Sequence, residues 1–248
     1  VSITGGGGNA EQGGPFSAAG GVSEGSGDAV DNHVTITNLT TASQPAAMFV
    51  NWTTALAGGV AMGGEATGNT LTITQNNGTA LSMISAGSAA EVYGGYGSTG
   101  ASDNKIIASG KDFTAYDLYG GYTDTGDAVF NSVSVDGSTV KNGIIGGATV
   151  SGNASNNSVI LTSGTVGGIV GGSTQTGTAS ENTVTISGGT VDNAVTGGDS
   201  RTGDASDNSV LISGGTVTEA TGGYGKNASK NTVSQTGGTM VMFTYGGY

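Results

Sequence analysis

The amino-acid sequence predicts an all-β fold: a single-stranded parallel β-helix (solenoid) of about nine coils, each of roughly 25 residues, with three faces. Three observations predict it. A Gly-Gly pair recurs along the chain, an Asn follows every pair but the last after 9–12 residues, and apolar residues alternate with polar ones after that Asn. A unit this short cannot bury its own apolar side, so it must stack on the next unit.

The Gly-Gly pairs set the period of the repeat. They begin at Gly20, Gly58, Gly94, Gly120, Gly146, Gly171, Gly197, Gly222 and Gly246. Their spacing is 24–26 residues after Gly94, but 38 and 36 residues before it. We therefore expect one solenoid domain over 1–248, with irregular coils and insertions over 1–93 and regular coils over 94–248. Because glycine adopts positive φ freely, we place both the Ser-Gly-Gly-Thr steps and the Gly-Gly pairs at the corners of the coils.

The Asn column marks the start of a strand with one buried face. Apolar residues stand two and four positions after most of these Asn residues, with Thr, Ser or Lys mostly between them, which is the period-two pattern of a strand. Two further apolar columns, nine after the Asn and two before the Gly-Gly, indicate three inward faces. An Asn amide stacked at one depth can bond to the coils above and below it. The expected structural ladder consists of Asn104, Asn131, Asn157, Asn182, Asn208 and Asn231.

Composition and charge exclude several classes of protein. The chain has 50 Gly but only 2 Pro, which argues against collagen and against Pro-rich disorder. Its 18 acidic and 6 basic residues give a net charge of −12. This charge argues against a nucleic-acid partner and against an anionic membrane surface. No apolar run is long enough to predict membrane insertion of this segment.

Few residue types are available for catalysis. One His and no Cys exclude a multi-His metal site and Cys-based zinc sites. The single His, His33, stands at an outward strand position beside Asn32, where we expect a solvated side chain and not a member of a catalytic triad. The acids cluster at the turns before the Asn strands, where we expect solvated side chains; a weak Ca²⁺ site and the paired acids of a polysaccharide-cleaving β-helix are the alternatives. These acids are Asp28, Asp31, Asp103, Asp124, Asp127, Glu181, Asp204 and Asp207. We expect no cofactor and a chain that is not an enzyme.

Tyrosines flank two neighbouring Gly-Gly pairs. Tyr93 and Tyr119 precede a pair and Tyr96 and Tyr122 follow one, so each couple should stack in adjacent coils. Such a row could hold sugar rings or a protein partner, or it could cover exposed Gly backbone. The insertions offer the other possible partner contacts, which are Phe49 and Trp52 in the first and the segment 81–84 in the second.

The repeat Asn-x-Val-x-Ile-Ser-Gly-Gly-Thr-Val with Gly-Gly pairs resembles the passenger regions of Gram-negative autotransporters and related β-helical surface adhesins. The resemblance covers most of the chain. It implies secretion, an extracellular location on the bacterial cell surface, and roles in adhesion and biofilms. No catalytic residue carries over from it.

The leading functional hypothesis is a non-catalytic structural and adhesive segment of a bacterial surface protein or fibre. Its expected partners are host or bacterial surface glycans or proteins. One alternative is a filament subunit that stacks end to end on other copies of itself, since an uncapped β edge is a template for pairing. Another is a tailspike-like β-helix that binds or degrades polysaccharide. Neither end of the sequence resembles a capping repeat, so we expect a fragment of a longer array.

Overall fold

The computed structural model describes residues 2–4, 18–39, 54–85, 88–89, 91–242 and 244–247. Within these ranges every regular element is a β-strand, and the strands stack in parallel as a β-solenoid, which confirms the predicted fold class. Phe49 and Trp52, two of the expected partner contacts, lie outside the described residues.

The strands of the irregular part are β1 Ser2–Thr4, β2 Ala18–Ala19, β3 Val22–Ser23, β4 Ala29–Val30, β5 His33–Thr37, β6 Thr54–Ala61, β7 Glu65–Thr67, β8 Thr70–Thr74, β9 Leu81–Ser82, β10 Ile84–Ser85 and β11 Ser88–Ala89. Those of the regular part are β12 Glu91–Gly97, β13 Gly100–Ser102, β14 Lys105–Ser109, β15 Phe113–Thr123, β16 Ala128–Val129, β17 Ser132–Thr149, β18 Ala154–Ser155, β19 Ser158–Thr174, β20 Ala179–Ser180, β21 Thr183–Ile186, β22 Thr190–Ser200, β23 Ala205–Ser206, β24 Ser209–Ile212, β25 Thr216–Tyr224, β26 Ala228–Ser229, β27 Thr232–Gln235, β28 Thr239–Met240 and β29 Thr244–Tyr245.

Equivalent positions of successive coils pair with one another. Between β17 and β19, for example, Val133 pairs with Val159 and Gly147 pairs with Gly172. A separate sheet takes one short strand from each of eight coils, in the order β26-β23-β20-β18-β16-β13-β7-β4. The antiparallel pair β10–β11 forms a third, two-stranded sheet. The repeat in the sequence is therefore also the hydrogen-bond register of the sheets.

The predicted count of about nine coils is too high. Nine Gly-Gly pairs bound only eight intervals, and the described residues make about six regular turns between Gly94 and Gly246. The two longer intervals before Gly94 complete the stack.

The interior of the solenoid is a continuous column of apolar side chains. The columns two and four after the Asn, nine after the Asn and two before the Gly-Gly supply it, and their members are buried except near the last coil. A further inward column precedes the Asn by three positions. It consists of the buried residues Ala29, Ala66, Ala101, Ala128, Ala154, Ala179 and Ala205. These small residues leave the coil narrow on that side.

The Gly-Gly pairs are not at the corners, which corrects the prediction. Gly120 and Gly121 lie inside the strand β15, and neither has a positive φ. A Cβ on Gly121 would overlap the side chain of Asn131, and one on Gly120 would overlap the carbonyl oxygen of Gly146. Glycine stands here because the strand packs directly against the Asn strand opposite, with no space for a side chain.

Two positions make the corners, and the first is the predicted Ser-Gly-Gly-Thr step. After the Asn strand, the second Gly of this step has positive φ, as in Gly189 at +82° and Gly215 at +78°. Before the Asn strand, the residue next to the Asn has positive φ in every coil from Asp31 to Lys230, and at Gly68 it is a glycine. The side chains at this second corner differ widely in chemistry, so no residue type in the sequence marks it.

Part of the second insertion packs into the core, so the insertion is not an outward loop over its whole length. Leu81 pairs with Phe113 of the next coil, and both are buried, as is Met83. Leu81 therefore takes the place of the column residue nine after the Asn, three positions later than in the regular coils. Part of the predicted binding feature at 81–84 is thus interior packing.

Candidate functional site on the outer side of the Gly-Gly strands

The Asn residues form one hydrogen-bonded ladder through the stack. Each Asn Oδ1 accepts from the backbone N–H and from the Nδ2 of the Asn in the coil before it, as Asn157 does from Asn131 at 2.9 and 3.1 Å. From Asn69 onward, each Nδ2 also donates to an Ala carbonyl of the preceding coil, as Asn157 does to Ala128 at 2.9 Å. The same bonds join Asn32, Asn69, Asn104, Asn131, Asn157, Asn182, Asn208 and Asn231. The buried amides from Asn69 to Asn208 are thus bonded within the rod and are not available to a partner.

Several turn acids also bond to the neighbouring coil. Asp28 Oδ1 accepts from the backbone N–H of Glu65 at 2.9 Å, and Asp127 Oδ1 accepts from that of Asn153 at 2.7 Å. Asp204 Oδ1 accepts from Asn227 Nδ2 at 2.6 Å. Within the described residues, no group of three or more His, Cys, Asp or Glu side chains is placed to hold a metal ion. The carboxylates of these three acids thus help to hold one turn on the next.

The outer side of the Gly-Gly strands carries two columns of side chains, which we call the outer columns. The first stands one residue before each Gly-Gly and consists of Ala57, Tyr93, Tyr119, Ile145, Val170, Thr196 and Thr221. The second stands two residues after the first Gly of each pair and consists of Val60, Tyr96, Tyr122, Ala148, Ser173, Asp199 and Tyr224. The register of the strands fixes which of these side chains are neighbours. It brings four tyrosines together in two adjacent coils and places Ser173, Asp199 and Tyr224 next to one another farther along the rod.

The four expected tyrosines meet in one cluster, the Tyr quartet. Tyr93 stacks on Tyr119 with ring centroids 5.3 Å apart, and Tyr96 stacks on Tyr122 at 5.6 Å. Edge-to-face contacts at 5.6–5.9 Å join the two stacks. The quartet packs with Ala57 and Val60 in a cluster separate from the interior core, and Tyr93 is only 4% exposed. The quartet is a small second core on the outside of the rod.

Carboxylates surround the quartet. The Tyr93 hydroxyl donates to Glu91, and the Tyr96 hydroxyl donates to Asp124 Oδ2 at 2.8 Å. Burial, followed by these carboxylates, raises the pKa of both tyrosines well above the ordinary value of 10.0. Burial also raises the pKa of Tyr119 and Tyr122, aided by the nearby acids. The hydroxyls of the quartet stay protonated through the neutral range.

Asp117 lies buried beside the quartet. Its carboxylate accepts from Asn142 Nδ2 at 2.9 and 3.1 Å. Burial raises the pKa of Asp117, while the Asn142 side chain and the Gly143 backbone N–H act in the opposite direction. The Tyr quartet therefore has a partly desolvated carboxyl group, that of Asp117, at its edge.

A polar cleft of about 440 Å³ lies farther along the second outer column. Its lining residues come from three successive coils and are Ser173, Thr174, Gln175, Asp199, Arg201 and Tyr224. Burial raises the pKa of Asp199, and the nearby Arg201 lowers it. The sequence does not reveal this cleft, because its residues belong to no motif and are brought together only by the stacking of the coils.

Comparison with known proteins identifies no relative. No family model matches the chain, and neither a curated protein nor a solved structure matches it. Across the described ranges, no helix is long and apolar enough to cross a membrane.

Proposed function

We propose that the chain is a non-catalytic structural and adhesive segment of a bacterial surface protein or fibre, located outside the cell. The observation that carries this proposal is the unbroken amide ladder from Asn32 to Asn231. It locks every coil to the next with buried hydrogen bonds, in addition to the sheet bonds. Such a rod needs no disulfides or cofactor to stay extended.

The ladder gives the rod its length and stiffness. With coils about 4.8 Å apart, the seven steps from Asn32 to Asn231 span about 34 Å. A coil can open only by breaking its amide bonds and two stacks of β-pairing at once, so local opening inside the rod is costly. This property suits a segment that holds a binding surface away from a cell.

The adhesive part of the proposal concerns the outer columns. The Tyr quartet and the polar cleft lie on one side of the rod, and aromatic residues are enriched where proteins bind partners. The net charge of −12 makes neutral or basic partners more favourable than acidic ones. A surface glycan or a surface protein fits these conditions.

Two measurements test the proposal. Amide hydrogen exchange on the purified chain should show slow exchange for the backbone N–H groups of the ladder residues Asn104, Asn131, Asn157, Asn182 and Asn208. Fast exchange at these residues would contradict a stiff rod. Beads coated with the chain should adhere to bacterial or epithelial cells more than albumin-coated beads do. Equal adherence of the two on every surface would reject the adhesive role.

Self-assembly is a second candidate, favoured by the direction of the ladder. In every rung the lower-numbered Asn donates and the higher-numbered Asn accepts. One side of a coil therefore presents amide donors and the other presents Oδ1 acceptors, so the two faces are complementary. Electron microscopy over a range of protein concentrations tests this candidate, and single rods at all concentrations would reject it.

A further inference from the structure

We propose that the polar cleft formed by Ser173, Gln175, Asp199, Arg201 and Tyr224 is a binding site for a neutral saccharide. The inference rests on the proposed adhesive function and names the class of ligand that the outer columns would bind. The cleft volume of about 440 Å³ lies in the range of small-molecule sites, about 300–1,000 Å³.

The fold builds the cleft from rigid elements. Ser173 pairs with Asp199, and Asp199 pairs with Tyr224, so the three side chains project from one column of adjacent coils. Gln175 and Arg201 follow directly after the ends of β19 and β22, so they lie at the turn beside this column. Because backbone pairing fixes each strand, the side chains converge without needing a flexible loop.

Three polar side chains of the cleft have no hydrogen bond from the rest of the protein that the structure describes. Among the described residues, the structure gives no hydrogen bond to the Asp199 carboxylate, the Arg201 guanidinium or the Gln175 side-chain amide. Asp199 is half-buried, and burial of a charged acceptor without a hydrogen bond is costly. A ligand that donates to this carboxylate would recover part of that cost.

The chemistry of these groups matches sugar hydroxyls. A carboxylate only accepts hydrogen bonds and a guanidinium only donates them, while a hydroxyl does both. Neighbouring hydroxyls of one sugar can therefore serve Asp199 and Arg201 together. The Tyr224 ring, 48% exposed, adds a flat apolar surface for the C–H face of a sugar ring.

Two features favour a neutral ligand and binding over cleavage. Asp199 and the net charge of −12 disfavour acidic sugars, phosphate and carboxylates, although Arg201 alone would attract them. The lining contains a single carboxyl group, whereas glycoside hydrolysis usually requires two. The cleft thus fits a site that holds a glycan chain and leaves it intact.

Calorimetric titration of the intact chain tests the proposal. The probes are cellotetraose, maltotetraose, chitotetraose and mannotetraose, with trigalacturonate as the acidic comparison. We expect at least one neutral probe to bind and trigalacturonate to bind more weakly. Binding of none of the neutral probes, or preferential binding of trigalacturonate, would overturn the proposal.

Variants locate the binding to the cleft. Asp199→Asn and Arg201→Gln should each weaken binding by about tenfold or more, because each removes a charged hydrogen-bonding partner. Tyr224→Ala should weaken saccharide binding, whereas Tyr224→Phe should retain it, because the ring face makes the contact. Asp192→Asn, at an exposed position of the same strand as Asp199, is the matched control and should bind like the parent chain. Unchanged binding by both Asp199→Asn and Arg201→Gln would refute the site.

The bead assay separates this proposal from the adhesive function on which it rests. If the parent chain adheres and Asp199→Asn adheres equally well, the cleft is not the adhesive site, although adhesion stands. If the parent chain itself does not adhere, the proposed function fails, whatever the titration shows.

Discussion

Asn157 Oδ1 accepts two hydrogen bonds from Asn131, one from its backbone N–H at 2.9 Å and one from its Nδ2 at 3.1 Å. Both residues are fully buried. One oxygen therefore satisfies two donors of the coil before it, while the Asn157 Nδ2 satisfies the carbonyl of Ala128. This relationship explains why the amide cannot be exchanged for an apolar or acidic side chain without leaving buried polar groups unpaired.

Replacing Asn157 with Ala should lower the free energy of unfolding by about 3 kcal/mol, because a buried N–H and a buried carbonyl lose partners at about 1–3 kcal/mol each. Asn193→Ala, at an exposed position, is the matched control and should change stability by less than about 0.5 kcal/mol. Urea denaturation followed by circular dichroism measures both. A small effect at Asn157 would show that water or a shifted coil replaces the rung.

Gly121→Ala should destabilise the rod by at least about 1–3 kcal/mol, the usual range for overpacking, since the new Cβ would overlap the Asn131 side chain. Gly143→Ala is the control within the next coil, because a Cβ there meets its nearest atom, the Gly168 carbonyl oxygen, at 3.5 Å. That variant should be neutral or stabilising by up to about 1 kcal/mol through the unfolded state. In thermal unfolding, Gly121→Ala should melt below the parent chain and Gly143→Ala at or above it; equal melting temperatures for the two variants would contradict the close approach at Gly121.

Asp117 should make stability decrease as the pH rises. Its pKa is raised by burial in the folded state, so its contribution is fully present below the unfolded pKa and is lost as pH rises through the folded pKa. Asp117→Asn keeps an oxygen for Asn142 and does not titrate. We expect the unfolding free energy of this variant to fall less than that of the parent chain above about pH 4. Identical pH profiles would show that Asp117 is solvated in the folded state.

The Tyr quartet should make the rod sensitive to alkali. The pKa of each of its tyrosines is raised by burial, so the stability they contribute is present below the unfolded pKa of about 10 and is lost as pH rises above it. Absorbance titration should show delayed ionisation of these tyrosines, followed by unfolding. Tyr93→Phe keeps the ring stack and should reduce the steepness of the alkaline loss. A parent chain whose tyrosines all ionise near pH 10 while it stays folded would contradict the buried quartet.

Phe130 occupies the positive-φ corner before Asn131, with φ of +58° and 57% of its surface exposed. An aromatic residue is strained there and buries little in return. Phe130→Asn should therefore stabilise the chain by about 0.5–1 kcal/mol. Ile160→Asn, at an exposed strand position without positive φ, should instead be neutral or destabilising. Equal effects in chemical denaturation would mean that the corner is not strained.

The periodicity of the sequence determined the fold class, the inward apolar columns and the residues that stack in register. A repeat this regular leaves one way to bury its apolar residues, so the columns read from the sequence are the columns of the core. The stacking of Tyr93 on Tyr119 follows from the same register. The amide column was visible as well, because a recurring Asn at one depth has few roles other than a ladder.

The tertiary structure alone decided which residues face each other across a coil. No pattern in the sequence indicates that Gly121 faces Asn131, because that contact joins opposite sides of the coil and depends on how narrow the coil is. Glycine at a corner and glycine at a close approach look alike in a sequence, and only the path of the backbone separates them. The same holds for the cleft at Asp199, Arg201 and Tyr224, whose residues stand in no common motif. A repeat encodes contacts along the rod, whereas contacts across a coil and between turns depend on distances that exist only after the chain has folded.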